Sequence, residues 1–378
     1  MTVLGIDIGV LYFVILWSCF FALLVLSKNF ELNLLSLWLV FAALYSIIFN
    51  IIPEFFSPYE RLFAFILTMG LLGPLVHSDI LDQFKLKLFH ILSNAFIILV
   101  TVSFLAKVTG IYSGLDAHHN YSGFFNGSMV LSPIAVIAMI YSITLALYHN
   151  KNKIRWLYYF AALLCFLSAI VAGSRIALLG GTGGILYFIY KFNQSKPFKY
   201  LFSIALISGI LILSFPLWKQ HTVFLQKKIE YSSQQGSLTA SRDKLWQARI
   251  NEFLTSPIIG IGFSSVDTDN NKGSKFSISS GRIEPGSSWL AILSMTGLFG
   301  FLPFFLIQIR NLISLFKHEN IYSSALLGAY NIFYIIHLTS EGYAFSAGSS
   351  LFIHFWLSLG ITDIYLKQSN SEYQQIFQ

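Results

Sequence analysis

The chain has 378 residues, of which 55% are hydrophobic and only 11% are charged. Soluble domains carry about 25% charged residues, so the composition excludes an ordinary soluble protein. The formal net charge of +7 does not indicate nucleic-acid binding, because the cations are grouped in short loops between apolar segments. The composition therefore predicts an all-α, polytopic integral membrane protein.

Apolar segments long enough to cross a bilayer, about 20 residues each, recur along the chain. About eleven (10–12) are predicted, at residues 8–27, 32–52, 61–77, 87–106, 129–149, 154–173, 175–191, 199–217, 288–310, 322–340 and 345–366. One long polar segment separates the eighth from the ninth. We therefore divide the chain into membrane spans in 1–217, a large catalytic loop in 218–287, membrane spans in 288–366 and a cytoplasmic tail in 367–378.

Basic residues predict the orientation of these spans. Three short loops are basic, and the rule that positive loops stay inside places them in the cytoplasm. These loops contain Lys151, Lys153 and Arg155; Lys191, Lys196 and Lys199; and Arg310, Lys317 and His318. The turn at Ser174 and the large loop then lie on the outer, periplasmic or extracellular, side.

The large loop is predicted to fold, because ordinary connections have only about 4–6 residues. Its residues 239–256 have apolar side chains at helical spacing and are followed by Pro257, which predicts an amphipathic helix. Arg242, Trp246 and Arg249 fall on one stripe of that helix, so that two cations point the same way.

Four other residues predicted on the outer side have two interpretations each. His118 and His119 are either acid/base or ligand groups, or solvated side chains of a Gly/Ser/Asn-rich loop. Arg175 either faces a cavity or a partner, or anchors its span by snorkelling to the interface. Glu341 either shapes the same cavity or has a capping or packing role.

The span that follows Arg175 is rich in glycine, with Gly180, Gly181, Gly183 and Gly184 close together. Small residues at this density are typical of closely packed membrane helices. A phosphate-binding loop is not indicated, because the sequence has neither of the glycine-rich nucleotide motifs and no preceding soluble strand.

Three sequence segments, in this order, resemble the bacterial O-antigen polymerase and O-antigen ligase superfamily. They are AGSRIALLGG at 172–181, SPIIGIGFSSV at 256–266 after the loop helix, and SSWLAILSMTGLFGF at 287–301. The resemblance covers about residues 120–305. It implies a metal-independent glycosyltransferase without a cofactor, acting in the bacterial cytoplasmic (inner) membrane on undecaprenyl-diphosphate-linked oligosaccharides. A polysaccharide chain-length regulator is a further expected partner.

The resemblance also assigns roles to individual residues. Arg175 and Arg242 match the arginines that hold the diphosphate. An acceptor hydroxyl needs a base, for which Glu284 is the first candidate, although a salt bridge to Arg282 explains it as well. Further candidates for substrate contact are Arg249, Trp246, Arg282, His118, His119 and Ser288.

One departure from the family pattern favours a polymerase over a ligase. Ligases usually carry a His-Asn pair just before the span that here begins SSWL, whereas this chain has Gly286 and Ser287 there. Two alternatives stay open, a ligase and a lipid-linked oligosaccharide flippase. Asp267 and Asp269 are interpreted as part of a solvated tract, although carboxylates at this spacing can hold Mg²⁺ against a diphosphate.

The predicted topology is testable by cysteine labelling, after Cys19 and Cys165 have been replaced. Cysteines at Ser237 and Ser274, in the large loop, should react with a membrane-impermeant thiol reagent in cells with a permeabilised outer membrane. A cysteine at Ser195, in a predicted inner loop, should react only after lysis. Labelling of the loop positions only after lysis would reverse the orientation.

Overall fold

The structure, a computed structural model, describes most of the chain. The described residues are 2–3, 6–27, 29–50, 52, 56–116, 120–149, 153–222, 226, 230, 233–234, 239–268, 275–277, 282–318, 321–345 and 349–367. Within them the fold is mainly helical. The strands form short antiparallel pairs, β1 (Thr2–Val3) with β2 (Ile6–Asp7), β3 (Glu31–Leu32) with β4 (Val76–His77), and β5 (Lys275–Ser277) with β6 (Arg282–Glu284).

The helices follow the predicted spans closely. Those with described bounds are α1 (Ile8–Leu26), α2 (Leu34–Ile48), α3 (Pro58–Leu71), α4 (Asp79–Val108), α5 (Ser128–Tyr148), α6 (Arg155–Ala172), α7 (Arg175–Phe192), α8 (Pro197–Trp218), α9 (Ala240–Thr255), α10 (Ser288–Lys317), α11 (Ile321–His337) and α12 (Ser350–Lys367). Every predicted span overlaps one of these helices, although several helices begin or end outside the predicted bounds. The remaining helix, α9, is the predicted loop helix, with bounds that differ from the prediction by one residue at each end.

Among the described residues, α4, α5, α6, α8 and α10 are long and apolar enough to cross a membrane. These five helices agree with a multi-pass, all-α membrane protein. The number of eleven spans and the outer position of the large loop stay predictions.

The chain divides into two compact units. The first unit consists of residues 1–89, 242–310 and 338–373, and the second of residues 90–241, 311–337 and 374–378. The first contains α9 and most of α10, and the second contains α5 to α8 and α11.

In the second unit, the glycines of α7 allow close contact with α11, as predicted. A Cβ atom added at Gly180 would lie 3.0 Å from the carbonyl oxygen of Phe333, and one at Gly184 would lie 2.8 Å from that of Ala329. The two helix backbones approach each other too closely for larger side chains. The glycines therefore serve helix packing.

In the first unit, α10 is broken one third of the way along, and a segment of the large loop pairs with the break. Gly297 has φ 59° and ψ −163°, which interrupts the helix. The amides of Ile261 and Gly262 donate to the carbonyls of Ser294 and Met295, at 2.9 and 3.1 Å. In return, the amides of Leu298 and Phe299 donate to the carbonyls of Pro257 and Ile258, at 2.9 and 3.0 Å. Residues 257–262, which we call the inserted segment, thus satisfy the backbone groups that the break exposes.

Two glycines make this approach possible. Gly260 and Gly297 both have positive φ angles, of 76° and 59°, which disfavour other residues. An added Cβ would lie 2.4 Å from the Met295 backbone at Gly260 and 2.3 Å from the Ile258 backbone at Gly297. Each glycine is therefore required for both its conformation and its small size.

At another place in the same unit, Asp363 of α12 gathers buried polar groups. Asn33 donates to its Oδ2 at 2.8 Å, and His77 Nε2 lies 2.7 Å from that oxygen. Arg310 pairs with Oδ1. These contacts tie together the start of α2, strand β4, α10 and α12, and Arg310 comes from a segment predicted to face the cytoplasm.

The close packing of the inserted segment on Gly297 predicts an effect of substitution on stability. Gly297→Ala should destabilise the protein by about 1–3 kcal/mol from backbone strain, in addition to the clash with Ile258. Gly209→Ala is the control, since nothing lies within 4 Å of a Cβ at that helical position. Thermal unfolding of the purified protein in detergent should give a clearly lower Tm for Gly297→Ala only. Equal Tm values for the two variants would contradict the packing at the break.

Candidate active site

Arg242, in the first turn of α9, makes ion pairs with two glutamates. Its Nη1 donates to Glu284 Oε1 at 3.1 Å, and its Nη2 donates to Glu341 Oε1 at 2.8 Å. The three side chains are partly exposed, with 19% of Arg242, 38% of Glu284 and 18% of Glu341 accessible. We call these residues the Arg242 cluster.

Helix α9 is fixed against the turn at Gly286, which follows Glu284 and precedes α10. One helical turn after Arg242, Trp246 Nε1 donates to the carbonyl of Gly286 at 3.1 Å. Leu245 packs beside Gly286, where an added Cβ would lie 2.8 Å from Leu245 Cβ. Gly286 also has φ 72°, so glycine is favoured by both conformation and space. These contacts set the position of the Arg242 backbone relative to Glu284.

The same turn is bound to the chain segment that carries Glu341. Ser288, fully buried at the start of α10, donates through its hydroxyl to the Glu341 carbonyl at 2.7 Å and accepts from the Ala344 amide at 3.2 Å. Its own amide lies 2.9 Å from the Glu341 carbonyl. A Cβ at Gly342 would overlap Pro285, 2.0 Å from its Cγ. The chain segment that follows Glu284 and the chain segment that carries Glu341 are thus in direct contact.

The charges of the Arg242 cluster do not balance. One guanidinium faces two carboxylates, which leaves an excess of one negative charge when both are ionised. Since all three groups are partly exposed, solvent screens these ion pairs, and each adds only about 0–1 kcal/mol to stability. The contacts position the arginine more than they stabilise the fold.

A second arginine of α9, Arg249, lies on the buried side of the helix. Its Nη1 donates to Glu252 Oε2 at 2.8 Å, and only 2% of Arg249 and none of Glu252 is accessible. Glu252 Oε1 accepts from the amide of Asp267 at 3.1 Å. Burial raises the pKa of Glu252, and the adjacent guanidinium opposes that rise. A substrate would reach Arg249, a predicted substrate contact, only if this pair opened.

The burial of this pair was not evident from hydrophobicity. The predicted amphipathic pattern includes Ile250 and Leu254, yet these side chains are 37% and 64% exposed. The polar pair is inside because Arg249 Nη1 pairs with Glu252 and Glu252 also holds the loop backbone at Asp267, while Arg249 Nη2 has no hydrogen-bond partner among the described residues. Pairing and hydrogen bonding thus outweigh the apolar preference on this face.

The other predicted site residues are placed as follows. Arg175 begins α7 in the second unit, and its convergence with Arg242 stays a prediction. Arg282 belongs to β6 beside Glu284, but its side chain is outside the described part of the structure. His118, His119 and Asp269 lie outside the described residues. The interpretation of Asp267 as part of a solvated tract is wrong, because Asp267 is buried and its amide donates to Glu252.

Glu341 is the residue of the Arg242 cluster whose role the sequence left open. It is 99 positions from Arg242, and no local motif connects the two. The one available signal was an acidic residue near the predicted outer end of a span, where an isolated charge needs a partner.

Residues 160–305 match a family described as O-antigen ligase. This family covers O-antigen polymerases as well as ligases. The match includes Arg175, Arg242 and Glu284 but ends before Glu341. No curated protein matches the chain significantly. The family match confirms the resemblance found in the three sequence segments.

The buried pair of α9 leads to a prediction about stability. Glu252→Gln should destabilise the protein by about 3–5 kcal/mol, because it leaves the Arg249 charge buried without its partner. The double variant Arg249→Met, Glu252→Gln carries no buried charge and keeps an oxygen for the Asp267 amide. Thermal unfolding should therefore show a higher Tm for the double variant than for Glu252→Gln. The reverse order would contradict the importance of the pair.

Arg249→Met alone should make stability depend on pH. Without the cation, burial holds the pKa of Glu252 further above its value in the unfolded chain. The variant should be most stable at low pH, where Glu252 is protonated, and lose stability as the pH rises through the raised pKa. Unfolding measured across this pH range, with the double variant as control, should show the loss in Arg249→Met only.

Proposed function

Residues 160–305 match the O-antigen ligase family, and from this likeness we propose that the chain is a surface-polysaccharide polymerase. It joins undecaprenyl-diphosphate-linked oligosaccharide repeat units on the outer side of the bacterial cytoplasmic membrane. An acceptor hydroxyl oxygen forms a bond to the anomeric carbon of the donor sugar, and the bond from that carbon to the diphosphate breaks. The electron pair leaves with undecaprenyl diphosphate.

The observation that carries this proposal is the Arg242 cluster. The leaving diphosphate gains negative charge, and a fixed cation near it lowers the barrier. A guanidinium has five N–H donors in a planar fork that suits phosphate oxygens. The two ion pairs of Arg242 use Nη1 and Nη2, and the same partly exposed fork is suited to a phosphate oxygen.

Glu284 has the properties of a base for the acceptor hydroxyl. Its Oε1 accepts from Arg242, and 38% of its side chain is exposed, so that an acceptor can approach it. In the described part of the chain, its other carboxylate oxygen has no hydrogen-bond partner. That oxygen takes the proton when the glycosidic bond forms. The adjacent Pro285 is buried and packs on Gly342, which fixes the backbone next to Glu284 but not its side chain.

Arg175 supplies the second cation in this proposal. It is the first residue of α7, and the N-terminus of a helix favours anions. The preceding Ser174 is 2% exposed, and its hydroxyl has no hydrogen-bond partner among the described residues. A buried hydroxyl at a helix N-terminus next to an arginine is suited to a phosphate oxygen. Following the family resemblance, we assign Arg175 to the same diphosphate as Arg242.

The position of the ligase His-Asn pair supports a polymerase. Here Ser287 occupies part of that position, and its hydroxyl donates to the carbonyl of Leu338 at 3.2 Å while accepting from the Leu290 amide at 3.3 Å. Ser287 is 1% exposed, and a residue so enclosed is not a base for an incoming hydroxyl. The base then comes from Glu284, two positions before Gly286.

Deletion of the protein in its host separates the candidate functions. Loss of a polymerase leaves a single repeat unit on the lipid core, seen as one band above the core on a polysaccharide gel. Loss of a ligase leaves no repeat unit on the core. Loss of a flippase also leaves none, and lipid-linked units accumulate on the inner side.

Substitution of the arginines tests the proposed mechanism. Arg175→Ala and Arg242→Ala should abolish polymer at normal protein levels, and lysine at either position should restore it only in part, because an ammonium does not reproduce the bidentate fork. Lys244→Ala is the matched control, a cation on the exposed side of α9, and should retain full polymer. Full-length polymer in Arg175→Ala would show that Arg175 is a membrane anchor.

A further inference from the structure

The two carboxylates on Arg242 are held differently. Glu341 lies closer to the guanidinium, at 2.8 Å against 3.1 Å for Glu284, and it is less exposed, at 18% against 38%. The backbone of Glu341 is also fixed, because its carbonyl accepts from both the amide and the hydroxyl of buried Ser288. Glu284 ends a strand of only three residues. Glu284 is therefore the more easily displaced of the two.

A bound diphosphate changes the balance of charge at this place. The cluster already has one more carboxylate than it has guanidinium groups, and a diphosphate adds at least two negative charges. Like charges within about 4–6 Å strongly disfavour each other's ionised form. One carboxylate must then give up its place on Arg242.

We infer that the donor diphosphate replaces Glu284 on Arg242, while Glu341 stays bound and keeps the guanidinium in position. The bond from Nη1 to Glu284 Oε1 is exchanged for a bond from Nη1 to a phosphate oxygen. The released Glu284 carboxylate, now without its cation, accepts the proton of the acceptor hydroxyl as the new glycosidic bond forms. Donor binding thereby activates the base. Glu341 is a positioning residue that acts through Arg242, and the inference rests on the proposed function.

The exchange predicts effects of opposite sign for the two glutamates. Glu284→Gln removes a competitor of the diphosphate, so binding should become tighter. Glu341→Gln loosens the guanidinium, so binding should become weaker. Each change should be about two- to fivefold, as expected for a partly exposed ion pair. If both glutamates only stabilised the fold, both variants would bind more weakly.

The experiment measures binding of undecaprenyl diphosphate to the purified full-length protein in lipid nanodiscs, together with polymer synthesis from a lipid-linked repeat unit. Glu284→Gln should bind more tightly and make no polymer. Glu341→Gln should show a higher KM for the donor and a smaller change in kcat. Glu31→Gln is the matched control, because Glu31 is 75% exposed and forms an ion pair with Lys367 in the same unit. It should match the wild type in both measurements.

Glu284→Asp provides a second variant if Glu284→Gln does not fold. Its shorter side chain withdraws the carboxylate from Arg242 and retains a base, so it should bind undecaprenyl diphosphate more tightly and keep some activity.

Weaker binding of undecaprenyl diphosphate by the Glu284 variants would overturn the exchange. Polymer made by Glu284→Gln would overturn it too. Either result would leave the polymerase proposal intact. If the wild-type protein neither binds undecaprenyl diphosphate nor makes polymer, the proposed function fails, and the inference fails with it.

Discussion

The backbone pairing between the inserted segment and the broken turn of α10 is the constraint on which the first unit depends. In a membrane, backbone groups without partners are costly, so a helix is interrupted only where other protein groups replace the lost bonds. Residues 257–262 provide these groups. Helix α9 ends shortly before this segment, and the turn carrying Glu284 leads directly into α10. Both parts of the candidate site are therefore connected to the same helix break.

The candidate site combines a rigid backbone with side chains that are only partly enclosed. Trp246, Ser288 and Gly342 hold the three chain segments together through hydrogen bonds or close packing. By contrast, Arg242 and Glu284 keep contact with solvent. This arrangement suits phosphate chemistry, since the geometry is set in advance and the charged groups stay reachable for a ligand.

The sequence predicted the features that depend on local patterns. The apolar segments, the loop helix and the close packing at Gly180 and Gly184 follow from periodicity and residue size. It did not predict the break at Gly297, because a glycine in an apolar run is also typical of helix packing. Nor did it predict the contact of Glu341 with Arg242, which depends on folding across 99 positions. Long-range pairing of charges has no local signature.

The anchoring of the large loop also determines where its length is free to change. On one side of the polar tract, the amide of Asp267 is held by Glu252, and on the other, Pro285 is packed against Gly342. Closing a loop between fixed ends costs only about 0.6 kcal/mol for each doubling of its length. Residues inserted between Thr268 and strand β5 therefore leave both anchors and the pairing of β5 with β6 where they are.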